Sequence, residues 1–279
     1  MKDDDCVRFL QWALPKLRMR WPGFRKVRRQ VCKRVARRLR VLGLEGLPAY
    51  REYLDRHPRE WLTLDEMCRI SISRFYRDRG VFDLLKNGVL PDLAAAALAR
   101  GEKGIQAWSA GCASGEEAYT LKMVWQLGLQ RKFPSVSLDI TATDADSQLL
   151  DRAHRACYPA SSVKDFPPEW LTLAFNRSGD EFYVRDLFRG GIDFRLQDIR
   201  REQPAGPFHL ILCRHLVFTY FDEQFQREIL RQMTARLCPD GFLVIGKQEA
   251  APTGIDDALR PYQPHSGIFQ RPAVPKTHS

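Results

Sequence analysis

The sequence contains no apolar run near the roughly 18 residues that a helical membrane span requires, and its start, MKDDDCVRF, lacks the layout of a signal peptide. Membrane insertion is therefore not expected, and a cytoplasmic location is. Histidine is scarce, with six residues dispersed along the chain, and His57, His265 and His278 lie in loop- or tail-like sequence. No metal site is expected. The seven cysteines stand singly at 6, 32, 68, 112, 157, 213 and 238, without a C-x-x-C pair. Reduced, mostly buried thiols are expected rather than a disulfide framework. No internal repeat or low-complexity tract is present apart from a Pro-, His- and Lys-bearing tail from Pro272, read as disordered.

Acid is missing altogether between Lys16 and Arg40, where twelve Lys or Arg residues accumulate within a chain of net charge +10. Leu17, Trp21, Phe24, Val27, Val31, Val35 and Leu39 recur among them at spacings of three and four. That pattern predicts a basic amphipathic helical segment, broken near Pro22-Gly23. Such a face suits an acidic protein, an anionic membrane surface or nucleic acid.

A hydrophobic fraction of 44% over 279 residues gives room for one large domain and a small one. The stretch WSAGCASGEEAYTL, Trp108 to Leu121, joins an apolar strand (Ile105 to Trp108) to a helix through a loop of small residues. Glu116 and Glu117 open that helix, where the helix dipole favours acid. The Lys-Ser/Thr pair of a P-loop and the G-x-G-x-x-G fingerprint are both absent, and two carboxylates repel a pyrophosphate. A ligand with a cationic end fits better, and S-adenosylmethionine brings an ammonium and a sulfonium. An ordinary turn with a solvated acid pair is the alternative. About twenty residues on, LDITAT (Leu138 to Thr143) reads as a second buried strand ending in Asp144, with Asp146 two residues later. Asp144 is either the ribose-hydroxyl acceptor of a Rossmann-type sheet or the cap of the following helix.

Phe82, Leu84, Leu85, Val89, Leu90, Leu93 and Ala94 to Ala97 predict a connecting helix. Beyond the turn Arg100 to Gly104, strands and helices alternate. Glu169 to Phe175 is a short helical stretch. Glu181 to Val184 and Ile192 to Leu196 are strand-like, with a turn at Arg189-Gly190-Gly191 between them. His209 to His215 is apolar in its middle and so central in the sheet. Phe225 to Leu237 is an amphipathic helix, Pro239-Asp240-Gly241 a turn, Phe242 to Ile245 a strand, and Gly267 to Gln270 a final antiparallel strand.

Several blocks together resemble one family, the CheR-type chemoreceptor methyltransferases. They are KRVARRLRVLGL (Lys33 to Leu44), SRFYRD (Ser73 to Asp78), WSAGCASGEEAYTL, ATDADSQLLDRA (Ala142 to Ala153), ILCRHLVFTYFD (Ile211 to Asp222) and CPDGFLVIG (Cys238 to Gly246). The resemblance implies a Rossmann-like α/β methyltransferase fold with an N-terminal all-α domain (1–80), a methyltransferase domain (81–271) bearing a small β-subdomain near 159–197, and the tail 272–279. It implies S-adenosylmethionine as cofactor. The acceptor is then a glutamate on an acidic protein, the cytoplasmic helix bundle of a chemoreceptor, with no stable nucleic-acid complex. Arg34, Arg37 and Arg38 are expected to contribute to recruiting it. In some relatives the β-subdomain docks a peptide tether; a hairpin insertion covering the cofactor is the alternative here.

Transferred by position, the resemblance places Arg77 beside the transferred methyl, orienting the acceptor carboxylate, with Tyr220 as second orienting group. Ser71, Ser73 and Arg77 would contact the cofactor. Either Glu116 or Glu117 would meet its ammonium, Asp144 its ribose, Asp198 and Ile199 its adenine, and His215 and Leu216 would line the site. The chain departs from the family at Ser71 and Ser73, which replace Asn and Thr, and at His215, which replaces Asn. The segment from Arg214 to Tyr220 is one residue longer, and Gly246-Lys247-Gln248-Glu249 replaces GHSE. The rival reading changes the acceptor to a small molecule, RNA or another protein and makes His215 a general base. A non-catalytic cofactor-binding signalling module is the third.

Overall fold

A computed structural model of the chain describes residues 2–252 and 258–273. It divides into two compact units, Met1–Ser71 with Leu216–Gln226, and Ile72–His215 with Arg227–Ser279. The first unit therefore ends nine residues before the boundary expected at residue 80, and it takes back a segment that the sequence had assigned to the catalytic half.

The first unit is helical. Helices α1 (Asp3–Ala13), α2 (Trp21–Phe24), α3 (Arg28–Leu42), α4 (Leu47–Arg56) and α5 (Glu60–Cys68) follow one another. Buried positions 6, 9, 10 and 13 of α1 and 31, 35 and 39 of α3 keep the helical repeat. The break in the basic segment is wider than Pro22-Gly23 suggests: a 3₁₀ turn ends at Leu17, and residues 25–27 separate α2 from α3. Cys6 and Cys32 form a disulfide between α1 and α3, which corrects the expectation of seven thiols. Only the packing of the two helices brings their sulfurs together, and no spacing rule announces it. Among the described residues the other five cysteines form no disulfide.

Two arginines expected on the partner-binding face have structural work instead. Arg38 donates from Nε and Nη2 to the two carboxylate oxygens of buried Glu60 at 2.8 and 2.7 Å, and Tyr50 Oη donates to the same group at 2.8 Å. Arg34 Nη1 donates to the carbonyls of Met67 (3.0 Å) and Arg69 (2.5 Å), at the end of α5. The exposed basic residues of the segment from Lys16 to Arg40 are Lys16, Arg25, Lys26, Arg29, Lys33, Arg37 and Arg40. Positions 29, 33 and 37 stand four apart, on one side of α3.

The second unit begins with α6 (Arg79–Leu84), which runs through a π turn into α7 (Leu90–Ala99), the expected connecting helix. Strand β1 (Gly104–Ala110) leads to α8 (Glu116–Gly128), β2 (Ser137–Asp144) and α9 (Ser147–Arg155). A three-stranded antiparallel sheet follows, from β3 (Cys157–Pro159), β4 (Phe175–Ser178) and β5 (Glu181–Val184), with helices α10 (Ala160–Val163) and α11 (Pro168–Ala174) between β3 and β4. Strand β6 (Ile192–Leu196) does not join it. Read from sequence as part of the β-subdomain, β6 pairs in parallel with β2 and so belongs to the main sheet. Strand β7 (Phe208–Leu212), α12 (Val217–Tyr220), α13 (Glu223–Arg236), β8 (Leu237–Val244), β9 (Arg260–Pro261) and β10 (Ile268–Gln270) complete the chain. Pro239 to Gly241 lies within β8, where the β7 register shifts, and Asp240 takes a positive φ of 61°. Residues 274–279, most of the expected tail, lie outside the described residues.

The main sheet has the order β6-β2-β1-β7-β8-β10-β9. Its first five strands are parallel, and β10 is antiparallel to β8. Every residue of β7 is buried, as its apolar middle predicts for a central strand. The order reverses between β1 and β7, so the carboxyl ends of β1, β2 and β7 frame the crevice where doubly wound sheets bind ligands. No described helix is long and apolar enough to cross a membrane.

Candidate functional site

Three chain ends meet at that crevice: the Gly111–Gly115 loop after β1, Asp144 at the end of β2, and Arg214-His215 after β7. The first is shaped by packing. Gly115 takes φ +88°, and a Cβ there would lie 2.9 Å from Ala153 Cβ and 3.1 Å from Phe194 Cζ. Ala113 also takes a positive φ, 49°, and its N–H donates to Asp144 Oδ2 at 2.8 Å. Asp146 N donates to Asp144 Oδ1 at 3.0 Å. Of the two readings of the acid pair, the capping role falls to Asp146, whose side chain accepts from Gln148 N and Leu149 N at the start of α9. Asp144 is left facing the loop, and burial raises its carboxyl pKa.

The two glutamates separate cleanly. Glu117 is a structural link: it accepts from Ser109 Oγ at 2.7 Å and from Arg214 Nη1 at 3.0 Å. Glu116 is 1% exposed, and burial pushes its pKa up. Ser114 Oγ donates to its Oε1 at 3.2 Å, and the Ser73 hydroxyl also favours the charged form. Its Oε2 is buried with no hydrogen-bond partner. A buried carboxylate oxygen without a donor is costly, on the order of 1–3 kcal/mol or more. The cationic end of S-adenosylmethionine would satisfy it, so the residues present fit the cofactor, with Glu116 rather than Glu117 toward the ammonium and Asp144 toward the ribose.

Glu116→Gln is accordingly expected to have opposite effects on stability and binding. A carboxyl whose pKa is raised by folding stabilises below its unfolded value and loses that contribution as pH rises through the folded one. At pH 7 the neutral amide should therefore raise the melting temperature of the cofactor-free protein. Affinity for S-adenosylhomocysteine should fall by about 10- to 150-fold, the loss of a charged hydrogen bond worth about 1.5–3 kcal/mol. Calorimetry and melting on one preparation check both, and unchanged affinity would remove Glu116 from the cofactor site.

Arg214 organises the rest. Its side chain is 2% exposed. Besides Glu117, it donates from Nη2 to Asp78 Oδ2 at 2.9 Å and to the Arg77 carbonyl at 2.6 Å, and its guanidinium lies 5.1 Å from the Phe82 ring centroid. His215 Nε2 meets the same Asp78 oxygen at 2.7 Å. The hydrogen bond from His215 and the charge of Arg214 hold the Asp78 pKa well below the usual carboxylate range. Glu249 Oε2 accepts from the backbone N–H groups of Gly246 and His215 at 2.6 and 3.0 Å. Gly246 leaves room for both side chains, because a Cβ there would lie 2.7 Å from Glu249 Oε2 and 2.9 Å from His215 Cε1. Arg77 is half-buried, and its Nη1 donates to the Ile72 carbonyl at 2.6 Å. Phe75, two residues before it, anchors the segment edge-on against Tyr158 and Phe175 at 4.8 and 4.9 Å.

The second unit thus brings together Ser73, Arg77, Glu116, Glu117, Asp144 and His215. Asp198 differs from expectation. Both of its oxygens take Arg200 N–H groups, at 2.6 to 3.2 Å, so the carboxylate assigned to adenine is already paired. Ile199 is buried. Ser71, Leu216 and Tyr220 belong to the first unit, Ser71 exposed at its end. Leu216 precedes α12 and accepts from Tyr220 N at 3.0 Å. The Tyr220 ring lies 5.0 Å from Phe24, and the Tyr220 carbonyl accepts from Arg20 N at 2.8 Å. The sequence reading assigned no role to Arg214, Asp78, Ser109 or Glu249. An arginine two residues past a buried, mainly apolar strand was the available signal, because a charge so placed must be buried and paired.

Residues 71–266 match the family described as CheR methyltransferase, SAM binding domain. The chain is 31% identical over 202 residues to chemotaxis protein methyltransferase 1 of Vibrio cholerae, covering 71% of this chain and 70% of that one. It is 31% identical over 226 residues to chemotaxis protein methyltransferase 2 of Pseudomonas aeruginosa, covering 78% and 77%. To the chemotaxis protein methyltransferase of Borreliella burgdorferi it is 28% identical over 221 residues, covering 77% and 78%. With a parallel sheet that ends in a buried acidic loop and a family match spanning most of the chain, this protein belongs to the CheR methyltransferases, which bind S-adenosylmethionine.

Proposed function

We propose that the protein methylates glutamate side chains of an acidic helical protein of the chemoreceptor kind, forming γ-carboxyl methyl esters. S-adenosylmethionine, when bound, supplies an activated methyl group. An ionised glutamate is already a nucleophile at neutral pH, so the chain's own residues need to bind, align and exclude water rather than remove a proton. The arrangement of His215 carries this reading. Its Nε2 is engaged by Asp78, and its Nδ1 side is turned to Gly246, where an added Cβ would approach within 3.0 Å. With Nε2 donating to Asp78, Nδ1 is the nitrogen left to take a proton, and it faces Gly246; His215 is assigned to holding Asp78, with an acceptor that needs no base. Arg77 is assigned to the acceptor carboxylate. The chain's similarity to three chemotaxis protein methyltransferases supports chemotaxis as the setting.

The test is chemical. Labelled methyl transferred to a purified chemoreceptor cytoplasmic fragment should be released as methanol in mild base. Base-stable label, or label in RNA, would overturn the ester reading.

The basic side of α3 is the proposed contact for the acidic acceptor. Because Arg34 and Arg38 hold the helical unit together, reversal belongs at Lys33, Arg37 and Arg40. Changing these three to Glu should raise the acceptor KM by at least about tenfold at low salt, less at high salt, with cofactor affinity retained. Equal KM values at both ionic strengths would exclude this face.

A further inference from the structure

Three non-glycine residues around Arg77 occupy the left-handed region: Tyr76 at φ 56°, Asp78 at 59° and His215 at 58°. Such residues cost roughly 1–3 kcal/mol each and persist only when their surroundings hold them, most often at functional sites. The holding contacts are explicit. Tyr76 N donates to Thr120 Oγ1 at 3.1 Å, and Tyr76 Oη to Asp83 Oδ1 at 3.1 Å. Glu249 fixes the His215 backbone, and the Arg77 carbonyl is held by Arg214. Asp78 is tied by one oxygen to both Arg214 and His215. An ionised carboxylate only accepts, so His215 Nε2 carries the proton. Removing the imidazole leaves that oxygen with Arg214 but without its second donor, and the turn bearing Arg77 loses a restraint on its strained residue.

We infer that His215 and Asp78 are positioning residues for methyl transfer, which together fix the Tyr76-Arg77-Asp78 turn and so aim the Arg77 guanidinium. The inference rests on the assignment of Arg77 to the acceptor. It gives a place to a side chain that differs from the family's Asn: the imidazole reaches Asp78 as a hydrogen-bond donor and is not a base. A glutamine amide places a donor about where Nε2 lies, whereas alanine and the shorter asparagine do not.

The experiment is a double-mutant cycle on the full chain, with a chemoreceptor cytoplasmic fragment as acceptor and S-adenosylhomocysteine as binding probe. His215→Ala should lower kcat about tenfold or more, with S-adenosylhomocysteine affinity within about twofold. His215→Gln should recover the rate to within about fivefold, and it keeps the test open if the alanine variant does not fold. In an Arg77→Ala background, His215→Ala should cost less than about twofold further, since both changes remove one function. Nitrogen NMR of His215 should show a proton on Nε2. Equal losses from His215→Ala in both backgrounds, a glutamine variant as slow as alanine, or an Nδ1–H tautomer would overturn the inference and leave the Arg77 assignment standing. An Arg77→Ala enzyme with the wild-type rate would overturn both.

Discussion

Replacing Arg77 with alanine is expected to slow methyl transfer on the order of 100-fold or more while S-adenosylhomocysteine affinity stays within about twofold. The expectation follows from where the side chain is held. Its guanidinium is braced on the Ile72 carbonyl, its own carbonyl is clamped by Arg214, and Phe75 fixes the segment in the aromatic core. A group restrained this well presents its charge without further ordering, so the lost interaction belongs to the acceptor and the transition state. Arg77→Lys should recover only part of the rate, because a point charge does not reproduce the planar fork. Single-turnover rates with parallel calorimetry decide the matter. A cofactor affinity that falls in step with the rate would move Arg77 into the cofactor pocket, and a wild-type rate would remove it from the reaction.

The second large effect is expected at Arg214, on stability. One buried guanidinium pairs with both Glu117 and Asp78, 3.0 and 2.9 Å away. Arg214→Met leaves two carboxylates near each other without their cation, and breaking a buried pair in this way costs about 3–5 kcal/mol. Glu117→Gln should cost less, since Arg214 and Asp78 remain as a neutral pair. The pH dependence has a definite sign. Asp78 has a lowered native pKa, so its stabilisation is complete above the unfolded carboxylate value and is lost as pH falls through the native one. Urea unfolding at pH 7 and at pH 3 should therefore show a smaller difference between wild type and Arg214→Met in acid. Equal midpoints at pH 7 would show that the cluster contributes nothing to stability.

The Cys6–Cys32 disulfide and the two inward-turned arginines teach the same lesson. Charge and spacing along α3 are visible in sequence, but which arginines face solvent depends on where Glu60 and the end of α5 come to lie. The face proposed to meet the acceptor narrows to the stripe through Lys33 and Arg37 for that reason. Likewise β6 has the alternation of a strand wherever it is placed, and only its pairing with β2 assigns it to the main sheet.

The sequence by itself determined the periodic and local features. The strands, the helix opened by Glu116-Glu117, the acid ending β2 and the apolar centre of β7 follow from side-chain period, turn chemistry and burial, which are properties of neighbouring residues. Six blocks in order were enough to identify the family. The tertiary structure decided everything that depends on which distant groups share a low-dielectric space. It separated Glu116, with its unpartnered oxygen, from Glu117, tied to Arg214. It paired Asp198 with Arg200 and gave capping to Asp146 instead of Asp144. It also joined Asp78, at the end of SRFYRD, to His215, 137 residues on. Such assignments turn on distances of about 3 Å between groups far apart in the chain, and hydrogen bonding and charge pairing act only at that range.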